Sequence, residues 1–274
     1  MNTQRFARQG ALILGLSLIA AFAVAQTEKN GTYQPQVGQS GKDVVWVPTP
    51  QALVDKMLDM AQVTPEDFVM DLGSGDGRTV ITAAKRGARA MGVEYNPDMV
   101  ELSKRNAEKE GVGDKATFVK ADLFETDFSK ATVITMFLLP SINLKLRPKI
   151  LDLKPGTRVV SNTFTMEDWE PDETATVDAE ESSWNTALFW IVPAKVEGSW
   201  KMQQGDLTFV QEFQNVTGAL KSNSKTASIS EGKLRGDQIS FTVGGARYTG
   251  KVNGDVMEGT VASGGNNSSW RAVR

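Results

Sequence analysis

The 274-residue chain contains no cysteine and no histidine. Without cysteine there are no disulfides, no thiolate nucleophile and no thiolate-bound metal. Without histidine there is no Ser-His-Asp triad and no imidazole-bound zinc. Proton transfer falls to Asp, Glu, Lys, Tyr or solvent. Most hydrolase chemistries are thereby removed, and no metal site is expected. A strong charge excess is also missing: the net charge is -3, with 40% hydrophobic and 23% charged residues. That balance fits a soluble globular protein and gives no global electrostatic case for a nucleic-acid partner. The length allows two modest domains, or one with a large appendage.

Long apolar runs are scarce, and the one that stands out is at the N-terminus. Arg5 and Arg8 precede ALILGLSLIAAFAVA, and Ala23-Val24-Ala25 stands before Gln26. A basic start, an apolar run and small residues at its end predict a signal peptide over residues 1–25. The run is short against the ~20 apolar residues of a full span. Cleavage after Ala25 and a periplasmic or secreted product are therefore expected, with an uncleaved membrane anchor as the alternative. No other membrane association is expected. Residues 26–42 are polar and rich in Gly, Gln, Ser and Asn, which predicts a flexible linker.

A first domain is expected over residues 43–196. DVVWVP leads in, Thr49 is placed as the cap of a helix with Pro50 at its first position, and Leu53, Met57, Met60 and Ala61 share one helical face. Strands are predicted at 68–72, 90–95, 116–121, 132–139 and 157–164, with helices at 78–86, 97–111 and 141–153. Strands alternating with helices make a parallel sheet covered on both faces. Residues 174–177 and 185–192 form two strands with no helix between them, a terminal antiparallel hairpin. The prediction is a Rossmann-like α/β domain with a mostly parallel seven-stranded sheet. From 197 to 274, glycines recur and apolar residues alternate with polar ones, as in Leu207, Phe209, Gln211 and Phe213. An antiparallel β meander or small barrel is expected there, with Trp200, Phe209, Phe213, Phe241 and Trp270 as its core. LRGDQISFTV and VNGDVMEGTV each carry Gly-Asp at a predicted turn, a hairpin echo rather than a repeat array.

Chemistry concentrates in VMDLGSGDGR, Val69 to Arg78. Asp71 ends a strand, and Gly73, Gly75 and Gly77 follow as G-x-G-x-G, a spacing unlike the dinucleotide fingerprint. Bare backbone allows a tight turn against which a ligand can lie. Glu94 ends the next strand, 19 residues after Gly75, where a carboxylate accepts from a ribose diol. Asp122 ends the third strand, within reach of an exocyclic adenine amine. Singly, these are a turn, a surface acid near a helix start and a helix cap. Jointly, three consecutive strands ending in acid at one sheet edge point to a nucleoside-containing ligand.

DLGSGDGR, GVEYNP and VKADLF resemble the nucleotide-binding motifs of class I S-adenosylmethionine-dependent methyltransferases, over about residues 44–195. The resemblance implies S-adenosyl-L-methionine as cofactor. It places Asp71 near the methionine part, the Gly73-Ser74-Gly75 backbone against the ligand, Glu94 on the ribose, and Asp122 with Leu123 around the adenine. VPTP, DLGSGDGR and SNTFTMEDWEP are further similar to the small lysine methyltransferases that modify mitochondrial carrier and ATP-synthase proteins. Trp169 and Pro171 fit that family's aromatic-x-x-x-Trp-x-Pro segment, and Phe164 stands one or two positions off. A protein lysine is the acceptor so implied. Trp169 and Phe164 are candidate acceptor-site residues, able to face a methylated ammonium, with core packing as the competing reading for each. TMFLLPSINLK lacks the Asn/Asp-Pro-Pro-aromatic motif of enzymes acting on adenine N6 or glutamine. Lys145, Arg147 and Lys149 fit a solvated helical face better than an acceptor-binding one. An exported module that binds the nucleoside without chemistry stays open as the alternative.

Overall fold

The structure is a computed structural model that describes residues 33–178, 183–223 and 225–274. The expected signal peptide, and the expected linker up to residue 32, lie outside the described residues. Among the described residues, no helix is long and apolar enough to cross a membrane.

Five strands run parallel: β1 (Phe68–Leu72), β2 (Arg89–Glu94), β3 (Ala116–Lys120), β4 (Val133–Met136) and β5 (Arg158–Asn162). β6 (Glu173–Thr176) and β7 (Thr186–Ile191) complete a seven-stranded sheet in the order β3-β2-β1-β4-β5-β7-β6, with β7 antiparallel to both neighbours. This is the Rossmann-like sheet and terminal hairpin that the sequence predicts. Strand order reverses between β1 and β4, which opens a crevice at the carboxyl ends of those strands.

Side chains alternate across the sheet, so Val69 and Met70 enter different cores. Val69 packs with Leu53 and Leu58 of α1 (Gln51–Met60), Val80 of α2 (Arg78–Lys85) and Val100 of α3 (Pro97–Lys109). Met70 packs with Leu146 and Ile150 of α4 (Pro140–Leu151), and with Trp169 and Trp190. All four residues of β4 are buried, as a central strand covered on both faces requires. Thr49 does not cap α1. Pro50 occupies the cap position without a side-chain bond, and the Thr49 hydroxyl instead accepts from Asn162 Nδ2 at 3.2 Å.

The remaining strands are β8 (Gly198–Met202), β9 (Gly205–Glu212), β10 (Asn215–Ser222), β11 (Lys225–Arg235), β12 (Gln238–Val243), β13 (Ala246–Asn253), β14 (Val256–Ser263) and β15 (Asn266–Val273). They form a closed antiparallel barrel, sealed where Ala272 and Val273 of β15 pair with Met202 and Lys201 of β8. Gly236-Asp237 and Gly254-Asp255 fall between paired strands, at the positions of the hairpin echo. Trp200, Phe209, Phe241, Tyr248 and Trp270 fill the interior. The Phe209 and Trp270 rings meet Phe241 edge-on, at 5.3 and 5.7 Å. Eight strands enclose only enough space for side chains, so this barrel is a packed core.

Phe213 does not belong to that core. It sits between β9 and β10 at φ 52° and stacks on Trp169, 5.9 Å between centroids. Arg147 lies 5.2 Å from the Phe213 ring. Trp169 is fully buried, and its carbonyl accepts from the Trp190 indole at 2.7 Å. Its side chain is therefore part of the packing that joins the barrel to the sheet, which corrects the expectation that Trp169 faces an acceptor. Gln214 donates to the Glu170 carbonyl at 2.8 Å, and Ala194 N–H donates to the Gly236 carbonyl at 2.8 Å across the same joint. Trp169→Ala should lower unfolding free energy by about 3–5 kcal/mol, the cost of deleting a buried large aromatic. Urea unfolding measures it, and an unchanged midpoint would show that the joint contributes nothing to stability.

Candidate active site

The loop after β1 is built around backbone that side chains cannot share. Gly73, Gly75 and Gly77 have φ of 80°, 53° and 83°, left-handed values that favour glycine. A Cβ on Gly75 would stand 2.7 Å from the Trp46 indole nitrogen, and one on Gly77 would stand 2.8 Å from the Phe118 ring. The loop is fastened along its length. Gly73 and Ser74 N–H both donate to the Val93 carbonyl, at 2.9 and 3.0 Å. Ser103 Oγ donates to the Gly75 carbonyl at 2.9 Å, and Asn106 Nδ2 to the Asp76 carbonyl at 3.0 Å.

Three carboxylates stand at the ends of three neighbouring strands, each in a different state. Asp71 is buried and accepts from Thr135 Oγ at 2.7 Å. Burial pushes its carboxyl up to about 7; the Asp76 and Glu94 charges act in the same direction, and the Thr135 bond opposes them. Glu94 accepts from Gly75 N–H at 3.0 Å on one oxygen and from Asn96 N–H at 2.9 Å on the other. Each of those oxygens keeps acceptor capacity, enough for a vicinal diol. Asp122 accepts from Phe124 N–H at 2.9 Å and pairs with the Lys42 ammonium. The Lys42 hydrogen bond leads the causes that hold the Asp122 carboxyl below the usual carboxylate range.

These groups border one cavity of about 590 Å³, within the ~300–1,000 Å³ of small-molecule sites. Asp71, Gly73, Ser74, Gly75, Glu94, Asp122, Leu123 and Phe164 all line it. Trp169 is not among the lining residues. Ser74 Oγ is buried with no hydrogen-bond partner among the described residues, and a polar ligand would satisfy it. Bare glycine backbone, acceptors spaced along a sheet edge and apolar walls suit an adenosyl ligand. Among the described residues no group of acids is arranged to hold a metal ion.

Several lining residues were not legible in the sequence. Residues 39–42, expected as part of the linker, border the cavity, and backbone bonds of 2.9 Å tie Gly38 to Trp46 and Trp46 to Gln39. Phe137, Phe164 and Trp184 come from three separate segments and meet at the cavity wall, with centroids 5.3–5.8 Å apart. Phe164 is held by its carbonyl, which accepts from Ser161 Oγ at 2.7 Å and from the buried Asn143 amide at 3.2 Å. Thr163, just before it, is held at φ 59°, a costly conformation for a β-branched residue and one that recurs at functional sites. Only long-range contact brings these groups together.

A family model described as the ANTKMT methyltransferase domain matches residues 71–173. A protein-lysine N-methyltransferase of Saccharolobus islandicus (strain REY15A) is 46% identical over 152 residues, covering 54% of this chain and 93% of that protein. An ATP synthase lysine N-methyltransferase of Homo sapiens is 33% identical over 178 residues, covering 63% of this chain and 72% of that protein. A crystal structure of an RNA methyltransferase from Salinibacter ruber, in complex with S-adenosyl-L-homocysteine, is 49% identical. It covers 55% of this chain and 96% of that one, with a TM-score of 0.51.

Asp71 supplies a pH test. Its folded value of about 7 lies above the ordinary 3.8, so its contribution to stability is fully present below pH 3.8 and is lost as pH rises through about 7. Unfolding free energy measured between pH 4 and 7 should fall more steeply in the wild type than in Asp71→Asn. A cationic ligand favours the ionised carboxylate, so below pH 7 its binding should release a proton and tighten as pH rises. Calorimetry in buffers of different ionisation enthalpy reads that proton, and a release that Asp71→Asn leaves unchanged would assign it elsewhere.

Proposed function

The chain belongs to the class I S-adenosylmethionine-dependent methyltransferases, in the family of the ANTKMT methyltransferase domain, and from that premise we propose that it N-methylates lysine side chains of a protein. The observation that carries the lysine reading is 46% identity to a protein-lysine N-methyltransferase across 93% of that protein's length. The Salinibacter neighbour bears the description of an RNA methyltransferase, so names alone do not choose the acceptor. The cavity wall favours lysine. A base sandwiched between two rings needs them about 7 Å apart, twice a van der Waals spacing. Phe137, Phe164 and Trp184 are already 5.3–5.8 Å apart. Their outer faces suit an alkylammonium group, which binds over aromatic rings. A net charge of -3 also gives RNA little to bind.

The bound cofactor supplies a methyl group already activated as a sulfonium, so the protein's tasks are positioning and exclusion of water. In this reading Glu94 takes the ribose hydroxyls on its two remaining acceptor sites. Asp122 meets the adenine amine beside Leu123, and Asp71 stands toward the methionine end. The Gly73-Ser74-Gly75 backbone lies against the ligand. The acceptor amine attacks only when neutral, and its proton passes to solvent or a carboxylate, since the chain has no histidine. Phe164, fixed by Ser161 and Asn143, holds the amine's approach line. A module that binds without turnover is set aside, because the named relatives are methyltransferases.

The signal-like residues 1–25 support export to the periplasm or beyond. N-terminal sequencing of protein recovered from the producing cell should begin at Gln26, and an intact Met1 would refute cleavage.

Incubation with S-adenosylmethionine and a protein pool should place +14 shifts on lysine. Methyl groups found on RNA instead would overturn the acceptor. Phe164→Ala should lower kcat/KM by about twofold to thirtyfold, the range of a cation–π contact, with cofactor affinity unchanged. Glu94→Ala should weaken S-adenosylmethionine binding by roughly 2–4 kcal/mol, because two charge-assisted bonds are lost. Equal affinity in the calorimeter would remove Glu94 from the ribose site.

A further inference from the structure

We infer that residues 38–46 are a strap closed over the cofactor cavity, and that Lys42 is the positioning residue that latches it. The inference rests on the cofactor reading above and adds a residue outside the matched span of 71–173.

The strap is a small hairpin. Gly38 N–H donates to the Trp46 carbonyl, Trp46 N–H to the Gln39 carbonyl, and Gly41 N–H to the Val44 carbonyl, each at 2.9 Å. Its tip and its stem reach different walls of the cavity. At the tip, the Lys42 ammonium pairs with Asp122 beyond β3 and lies 4.8 Å from the Tyr95 ring beyond β2. At the stem, the Trp46 indole stands against Gly75 in the loop after β1, close enough that no Cβ fits between them. One short hairpin thus touches the ends of three adjacent strands, and residues on both sides of that contact line the same cavity.

Tyr95 makes the arrangement more than incidental. It is 49% exposed, an unusual place for a ring beside Glu94, and the strap supplies its cation. Asp122 has one oxygen on Phe124 N–H and the other on Lys42, so Lys42 both orients the carboxylate expected to meet adenine and covers it. The latch is weak by construction. The Lys42 and Asp122 side chains are 34% and 29% exposed, and exposed ion pairs contribute little on their own. Such a latch holds a ligand yet opens without unfolding anything else. The adenine end leaves only after Lys42 lets go.

The test uses the full chain and S-adenosyl-L-homocysteine, with dissociation followed after dilution into excess unlabelled ligand. Lys42→Ala should dissociate about threefold to thirtyfold faster than wild type, the range of an exposed ion pair plus a cation–π contact. Lys42→Arg should remain within about twofold of wild type, since guanidinium serves both contacts. Hydrogen exchange without ligand gives a second readout. The Gly38 and Trp46 amides should exchange faster in Lys42→Ala and in Asp122→Asn, with β1 amides unchanged. Equal dissociation rates overturn the latch. If the wild type binds no S-adenosyl-L-homocysteine, the cofactor reading fails, and exchange alone decides: unchanged rates at Gly38 and Trp46 refute the strap.

Discussion

Like charges gathered at one sheet edge repel one another, and the cavity is organised around making that tolerable. Asp71, Glu94 and Asp122 end three adjacent strands, and each is accommodated differently. Asp71 is buried, and its carboxyl holds a proton up to about pH 7. Glu94 spreads its charge over two backbone N–H groups. Asp122 takes a lysine. The glycine loop is part of the same solution, since its N–H at Gly75 reaches Glu94 only because no side chain intervenes. A loop that bare must be fastened elsewhere, and Val93, Ser103 and Asn106 do so.

The barrel meets this site only indirectly. Its interior is filled by rings, so it encloses no second ligand. What it offers the catalytic domain is a seat at the segment between β5 and β6, where Phe213 stacks on Trp169 and Gln214 holds the Glu170 carbonyl. The same segment begins with Thr163 and Phe164, the latter on the cavity wall. Met166 and Asp168 are bound in turn by Arg147, the residue beside Phe213. The chain that carries Phe164 is therefore held at one end by Asn143 and Ser161, and at the other by the joint with the barrel. Strain at Thr163 persists because both ends are fixed.

The cofactor half of the site was legible in the sequence because it is local. Asp71, the glycines, Glu94 and Asp122 each lie within a few residues of a strand end, and strand ends can be located from apolar runs and turn residues. The sheet and its terminal hairpin followed from the same alternation, and glycine-punctuated strands announced a β domain, though not its closure. The other half was hidden because its parts come from distant segments. Lys42 lies in a polar stretch whose composition resembles a linker, and composition carries no record of an ion pair with a residue 80 positions away. Trp169 shows the converse. Its place after the fifth strand suggested a cavity wall, yet a bulky ring there had equal reason to be buried, and the barrel supplied the partner that buried it. Phe213 was assigned to the barrel by alternation along its strand, and a turn at φ 52° sent it the other way.

The electrostatic arrangement also narrows the ligand. A cavity edged by acids and reached through backbone N–H groups would bind a phosphate poorly, because each carboxylate would oppose it. It favours a ligand that has hydroxyls for Glu94 and an amine for Asp122, and that brings positive charge toward the one carboxyl able to give up a proton near neutrality. An adenosyl sulfonium with an amino-acid tail has all three. The G-x-G-x-G spacing agrees with this from the opposite direction: Glu94 occupies the Gly75 N–H, a donor that a dinucleotide site would turn toward pyrophosphate. Acids and loop therefore select against the same alternative by independent routes. That convergence gives a short glycine motif more meaning here than its spacing carries alone.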